Sequence, residues 1–355
     1  MKPKERVYRT IHFKEPDRLP IFYTFEEGFV RRYKNELKKF LKDYPSDFAF
    51  DGSVNFQIQE QEEEIYPRKY KDEWGCEWLD LLPGIMGEVK EPPLKDWNQL
   101  RNFQVPALPY ENKENFKLLE SAIKEKHAQG YYVTIWGPFR GGFNLFERMQ
   151  WLRGVENFFI DLMENKDKIK ELAEIITEEY LLKGAHYLIK AGVDGFFLAD
   201  DWGSQKNLLI SPAMWREIFK PRYRRVIEYI HSQGKDVFFH SDGYIMQIIP
   251  DFIEIGVDVL NPQFSCMSLE ELARVCKGKI CILADVDRQY ILPYGKDYEI
   301  RDYVKNMIET LSTPEGGLIL RGSVSSIDPL KNVKTMYKSF WEFGNNYRQL
   351  TKIGK

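Results

Sequence analysis

Cysteine and histidine are scarce in this chain, at 4 and 5 among 355 residues. Cys76, Cys266, Cys276 and Cys281 show no CxxC spacing, so neither a disulfide framework nor a cysteine-rich metal ribbon is indicated, and free thiols are expected. No apolar run approaches the roughly 18 residues of a membrane span. The N-terminal stretch MKPKERVYRTIHFKEPDRLP lacks the apolar segment of a signal peptide, so a cytoplasmic location is expected. A basic excess is missing too. The formal charge is −3, with 51 Lys and Arg against 54 Asp and Glu, which argues against nucleic acid or a membrane surface as partner. No G-x-G-x-x-G follows the first strand-like run, so a dinucleotide fold has no positive support.

The chain does have enough apolar material for a large core, 43% hydrophobic and 15% aromatic, which excludes disorder. Short apolar runs of strand length alternate with longer segments of helical periodicity. The runs are 18–24 (RLPIFYT), 48–54 (FAFDGSV), 131–137 (YYVTIWG), 193–200 (VDGFFLAD), 236–241 (DVFFHS), 257–263 (VDVLNPQ), 280–286 (ICILADV) and 317–322 (GLILRG). Several are apolar on both parities, as buried parallel strands are.

Between them, 211–233 reads as a helix capped by Ser211, opened by Pro212 and stopped by Gly234, with a break at Pro221. A helix over about 166–190 runs into Ala191–Gly192 and the fourth strand. Eight such alternations predict an α/β fold, a (β/α)₈ TIM barrel, rather than an open sheet. One barrel domain over 1–355 is expected, with an inserted excursion at about 55–112, rich in Glu, Trp and Pro and suited to short antiparallel strands. The charge run 60–64 within it reads as a solvated face.

In a parallel barrel the C-terminal strand ends converge on one mouth. That places Glu26 and Glu27, Asp51, Arg140, Asp200, Asp201 and Trp202, His240 and Asp242, Asp285, Asp287 and Gln289, and Arg321 around a common centre. Acids outnumber arginines, so a cation is the expected guest. His240 is the histidine that directly follows an apolar strand, and His240 and Asp242 project the same way while the chain is extended. An imidazole with a carboxylate suits Zn²⁺ or Fe²⁺, and also acid–base work. The bland reading is a rim histidine beside a helix-capping aspartate. Of Asp200 and Asp201 at most one faces the centre, because adjacent strand residues point apart. Trp136, Phe139, Trp202 and Phe264 are candidates for an apolar pocket wall, or for core.

The stretch ADDWGSQKNLLISPAMWREIFKPRYRRVIEYIHSQGKDVFFHSDGYIMQIIPDFIEIGVDVLNPQ resembles the uroporphyrinogen decarboxylase superfamily, which includes corrinoid-dependent methyltransferases. YKDEWGCEW (70–78) and ADVDRQ (284–289) fit the same pattern. The likeness spans most of the chain and is strongest over 192–289. It implies a barrel and, commonly, a homodimer.

The departures direct the branch. Decarboxylases carry MRQAGR after the first strand to grip substrate carboxylates; here the stretch is FYTFEEGFVRRY. They also carry a histidine near the last strand, where this chain reads LRGSVSSIDP. The methyltransferase branch implies a zinc site of form His-x-Cys plus a distant Cys. His240 matches the first ligand, Asp242 replaces the first cysteine, and 323–326 offers no thiol. A zinc site would therefore need an altered ligand set, His240 and Asp242 with a further acid such as Asp200 or Asp285.

The expectation is a methyltransferase-like enzyme passing a methyl group from a small methylated substrate to a corrinoid carried by a partner protein. His240, Asp242, Asp200 and Asp201 would be catalytic. Arg140, Trp202, Gln205, Asp285, Gln289, Arg321, Glu26 and Asp51 would line the substrate site. The alternatives are a decarboxylase of a porphyrinogen or another carboxylated molecule, and a non-catalytic barrel that binds a corrinoid-system partner.

Overall fold

The computed structural model describes residues 1–50, 66–82 and 86–352. All eight apolar runs become strands of one parallel sheet. They are β1 (Ile21–Phe25), β2 (Phe48–Phe50), β6 (Tyr132–Ile135), β7 (Gly195–Ala199), β8 (Asp236–Ser241), β9 (Val259–Pro262), β10 (Cys281–Asp285) and β11 (Leu318–Val324). The sheet order β1-β11-β10-β9-β8-β7-β6-β2 brings the first two strands together. There the Asp47 N–H donates to Ile21 O at 2.9 Å, and Ile21 N–H returns a bond to the Asp47 carboxylate at 2.8 Å. The ring is thereby closed as a (β/α)₈ barrel.

The helices end where residue chemistry ends them. Ser211 accepts from Met214 N to cap the helix Pro212–Ile218, and a second helix, Lys220–Ser232, follows after Phe219. The expected break lies beside Pro221, which occupies the first turn of the second helix and so loses no hydrogen bond. The other long helix keeps its predicted course but carries a π-turn at Thr177–Leu182, and it stops at left-handed Gly192 with φ 105°.

Strand alternation sorts the core into two parts. Phe22, Phe48, Tyr132, Phe197, Phe238, Val259, Leu283 and Ile319 fill the barrel, and Val7 and Ile11 of the helix Pro3–Ile11 plug its lower end. The opposite parity packs under the outer helices.

Within the excursion, β3 (Arg68–Lys71), β4 (Glu77–Asp80) and β5 (Glu88–Glu91) form an antiparallel sheet. Asp72 holds its tight turn, taking the N–H groups of Trp74 and Cys76 on one oxygen and the Trp78 indole on the other. Arg148 fastens this unit to the barrel. It is fully buried, with its guanidinium over Trp74 and Trp151 at 4.5 and 4.7 Å. The charge run 60–64 lies outside the described residues.

Candidate active site

Two residues beyond the apolar filling, the same inward parity becomes polar. Thr24, His240, Asn261, Asp285 and Arg321 follow Phe22, Phe238, Val259, Leu283 and Ile319 at that spacing. Register sets Ala199 beside His240, and His240 beside Asn261. The small Ala199 leaves room for the imidazole, and the Asn261 carboxamide is brought alongside it.

Hydrogen bonds fix the direction of that carboxamide. Its Nδ2 donates to Leu283 O at 2.7 Å and to Asp285 Oδ2 at 3.3 Å. Its Oδ1 therefore faces His240 Nδ1 at 2.7 Å and also accepts from Arg321. An oxygen acceptor at Nδ1 requires the proton there, so it is Nε2 that is turned to the mouth, where the neutral imidazole offers its lone pair. Arg321 is held in turn by Thr24 Oγ1 at 3.1 Å and lies 3.5 Å from Asp285.

Nε2 faces Asp242 Oδ1 at 3.6 Å and Asp201 Oδ1 at 3.9 Å. One ligand atom from each of Asp201, His240 and Asp242 lies within 4.8 Å of the others. Among the described residues, this is the one group of three or more such side chains so placed. The acid grouped with His240 and Asp242 is Asp201, and neither Asp200 nor Asp285, which the sequence had suggested, lies in this group. Burial raises the Asp201 carboxyl above its ordinary value, with His240 opposing the rise and Asp242 adding to it.

Two glycines set the spacing between the loops that carry the aspartates. A Cβ on Gly203 would lie 2.4 Å from Tyr244 N, and one on Gly243, at φ +84°, 2.1 Å from the Gly203 carbonyl. The loops after β7 and β8 cross backbone to backbone, and Asp242 N–H donates to Asp201 at 2.8 Å.

Several predicted site residues turn elsewhere. Asp200 is fully buried and caps the helix Phe146–Arg153, accepting N–H bonds from Leu145, Phe146 and Glu147 and the Tyr223 hydroxyl. Burial pushes its carboxyl up to about 6 against those donors. Trp202 is core, stacked on Phe146 at 4.2 Å, and Phe139 packs beside Tyr180. Trp136 stays at the mouth, 6.0 Å from the His240 ring.

Arg140 is occupied by Asp80 at 3.0 Å and by Tyr70, over the Trp78 ring, so it braces the excursion sheet. Glu26 holds Ser326 through N–H and Oγ, and Asp287 caps its own loop through three N–H groups. Gln205 and Gln289 are exposed on the rim, Gln205 3.5 Å from the Cys266 thiol. Asp51 lies outside the described residues.

Asn261 and Glu147 were missed. Asn261 stands inside the run 257–263, two residues from the apolar inward Val259, and that parity is its signal. Glu147 sits on a helix with no motif. Burial, then the charges of Asp201 and Asp200, push its carboxyl well above the usual carboxylate range.

The family model described as Uroporphyrinogen decarboxylase (URO-D) matches residues 74–340. The chain belongs to the uroporphyrinogen decarboxylase family. Among solved structures, a methyltransferase from Methanosarcina mazei superposes with TM-score 0.71 at 18% identity, covering 97% of this chain and 99% of that one. Xylanase 10B from Thermotoga maritima covers 98% of this chain and 100% of its own at 9% identity and TM-score 0.43. No curated protein sequence matches significantly. At 18% identity the Methanosarcina structure speaks for the barrel alone. No described helix is long and apolar enough to cross a membrane.

Proposed function

We propose that this family member is a methyltransferase-type enzyme that takes a methyl group from a small methylated substrate and passes it to a corrinoid carried by a partner protein. The observation that carries the reading is the Asp201–His240–Asp242 constellation, with the His240 tautomer set by Asn261. Three nitrogen and oxygen donors with an open side suit a catalytic zinc or iron site better than a closed structural one. The donor set fits even though thiolates are replaced by carboxylates.

Asp201, His240 and Asp242 would hold a divalent cation, which would supply a Lewis acid for the heteroatom that gives up its methyl group. The protein's own residues do the rest. Asn261 holds Nδ1 and so turns Nε2 to the mouth, Asp201 and Asp242 converge on the same point, and Trp136 gives an apolar edge beside the imidazole.

Elemental mass spectrometry of the purified protein beside His240→Ala tests the site. Near-stoichiometric zinc or iron that vanishes in the variant supports it, and methyl transfer to cob(I)alamin from methoxy or methylamine substrates then tests the reaction. No metal in either protein after growth in zinc- and iron-supplemented medium rejects it.

Decarboxylation of a carboxylated substrate is the second reading, favoured by Arg321 at the centre of the mouth. Coproporphyrinogen formation from uroporphyrinogen would establish it over methyl transfer. The surface after β1, where Glu26 and Glu27 stand, speaks against so acidic a substrate.

A further inference from the structure

The Asp201–His240–Asp242 cluster has a cation against it already. Arg288, on the loop after β10, donates from Nη2 to Asp242 Oδ1 and Oδ2 at 3.1 and 3.4 Å. Oδ1 is the same atom that faces His240 Nε2. Against the cost of burial, Asp285, Asp242 and Asp201 keep the guanidinium charged.

Arg288 is held more loosely than Arg321. Among the described residues no hydrogen bond other than those to Asp242 fixes its guanidinium, whereas Arg321 is bound to Thr24 and Asn261 within the barrel. The loop backbone behind Arg288 is anchored by Asp287, which takes the N–H groups of Gln289, Tyr290 and Ile291. A fixed backbone with an exposed, singly tethered side chain lets the guanidinium move without the loop moving. Nearby, Asp285 Oδ1 is buried with no hydrogen-bond partner among the described residues.

We propose that Arg288 is a resident counter-ion that a divalent cation displaces from Asp242, and that the released guanidinium then binds a carboxylate or similar anionic group on the substrate. The proposal rests on reading the cluster as a cation site. A divalent cation on Asp242 Oδ1, where Arg288 Nη2 donates, would repel the guanidinium across a partly desolvated mouth.

The charge balance gives the direction. Counted as formal charges, Asp201, Asp242 and Asp285 against Arg288 and Arg321 sum to one net negative charge. Adding a divalent cation turns that into one net positive charge. The loaded site then selects a methylated anion, where the sequence had suggested a cationic guest.

Zinc affinity of the metal-stripped full chain, by competition with a chromophoric chelator, separates the possibilities for wild type, Arg288→Met and His240→Ala. Benzoate is then titrated calorimetrically into the zinc-free and zinc-loaded forms. Arg288→Met is expected to bind zinc at least about tenfold more tightly than wild type. Benzoate should bind zinc-loaded wild type, and at least about tenfold more weakly both zinc-free wild type and zinc-loaded Arg288→Met.

Equal or weaker zinc binding by Arg288→Met overturns the counter-ion role. Benzoate affinity indifferent to Arg288 overturns the anion arm. If wild type binds no zinc that His240→Ala abolishes, the cluster itself is not a cation site, and the proposal falls with it. Arg288 is exposed, and a thermal melt of the variant checks that its fold is intact.

Discussion

Asp200 and Asp201 are neighbours with opposite fates. One faces outward and satisfies three backbone N–H groups; the other faces the barrel axis beside His240. Asp200→Ala is therefore expected to cost about 2–4 kcal/mol, because it strands buried donors at a helix start. Urea denaturation measures this, and zinc affinity of the folded fraction should be unchanged. Asp201→Ala should do the reverse, keeping stability and losing zinc. Asn261 allows a second test. Asn261→Leu keeps the branching and heavy-atom count of the side chain but removes the acceptor that holds the proton on Nδ1. Zinc affinity should fall about 10- to 100-fold while the fold is kept, and unchanged affinity would deny Asn261 its orienting role.

At the scale of elements, the lower face of the barrel is laced by histidine–aspartate pairs. His12 meets Asp236 at 2.9 Å, His127 meets Asp194 at 2.8 Å, and His231 of the helix Lys220–Ser232 meets Asp258 at 2.8 Å. Asp194 and Asp258 also take a strand N–H, from Val133 and Val237, so each of these pairs joins a helix to a strand edge.

The hydrogen bond to Asp258 raises His231 above its ordinary value, with burial opposing. A raised folded pKa means that the pair stabilises the fold fully below the unfolded value of about 6.5 and is lost as pH rises through the folded one. The urea midpoint should therefore drop between about pH 6 and about pH 8 by more in wild type than in His231→Gln. An identical drop would show that the pair contributes nothing in that window. The excursion sheet is fastened by a different device, Asp80 shared between Arg68 and Arg140. That bond removes Arg140 from the substrate site where the sequence had placed it.

For the whole molecule, the seam between β1 and β2 is where the barrel closes. Asp47, fully buried, binds Arg6 at 2.5 Å, Arg18 at 2.8 Å and the Ile21 N–H. It thus fastens the N-terminal plug helix, the first strand and the second at one point. Asp47→Ala leaves the buried Arg18 guanidinium without its carboxylate and Arg6 with Asp17 alone, and should cost about 3–5 kcal/mol. A chemical-denaturation midpoint little changed from wild type would contradict this.

The sequence by itself determined the strand set, the barrel, the Ser211 and Gly192 helix boundaries, and the singular position of His240. Each follows from local chemistry: apolar runs, caps and a left-handed glycine act over a few residues and need no distant partner. The resemblance, carried by those same stretches, pointed to the family to which the chain belongs. Only the tertiary structure decided which acids are available at the mouth. Asp200, Asp287 and Glu26 are taken up by N–H groups or a hydroxyl, Arg140 by an aspartate in the excursion, and Asp201 is turned inward by strand parity. Asn261 became visible as the residue that orients His240 once register set the two side by side. A carboxylate's role depends on what reaches it across the barrel, and a linear pattern of charges carries no such distances.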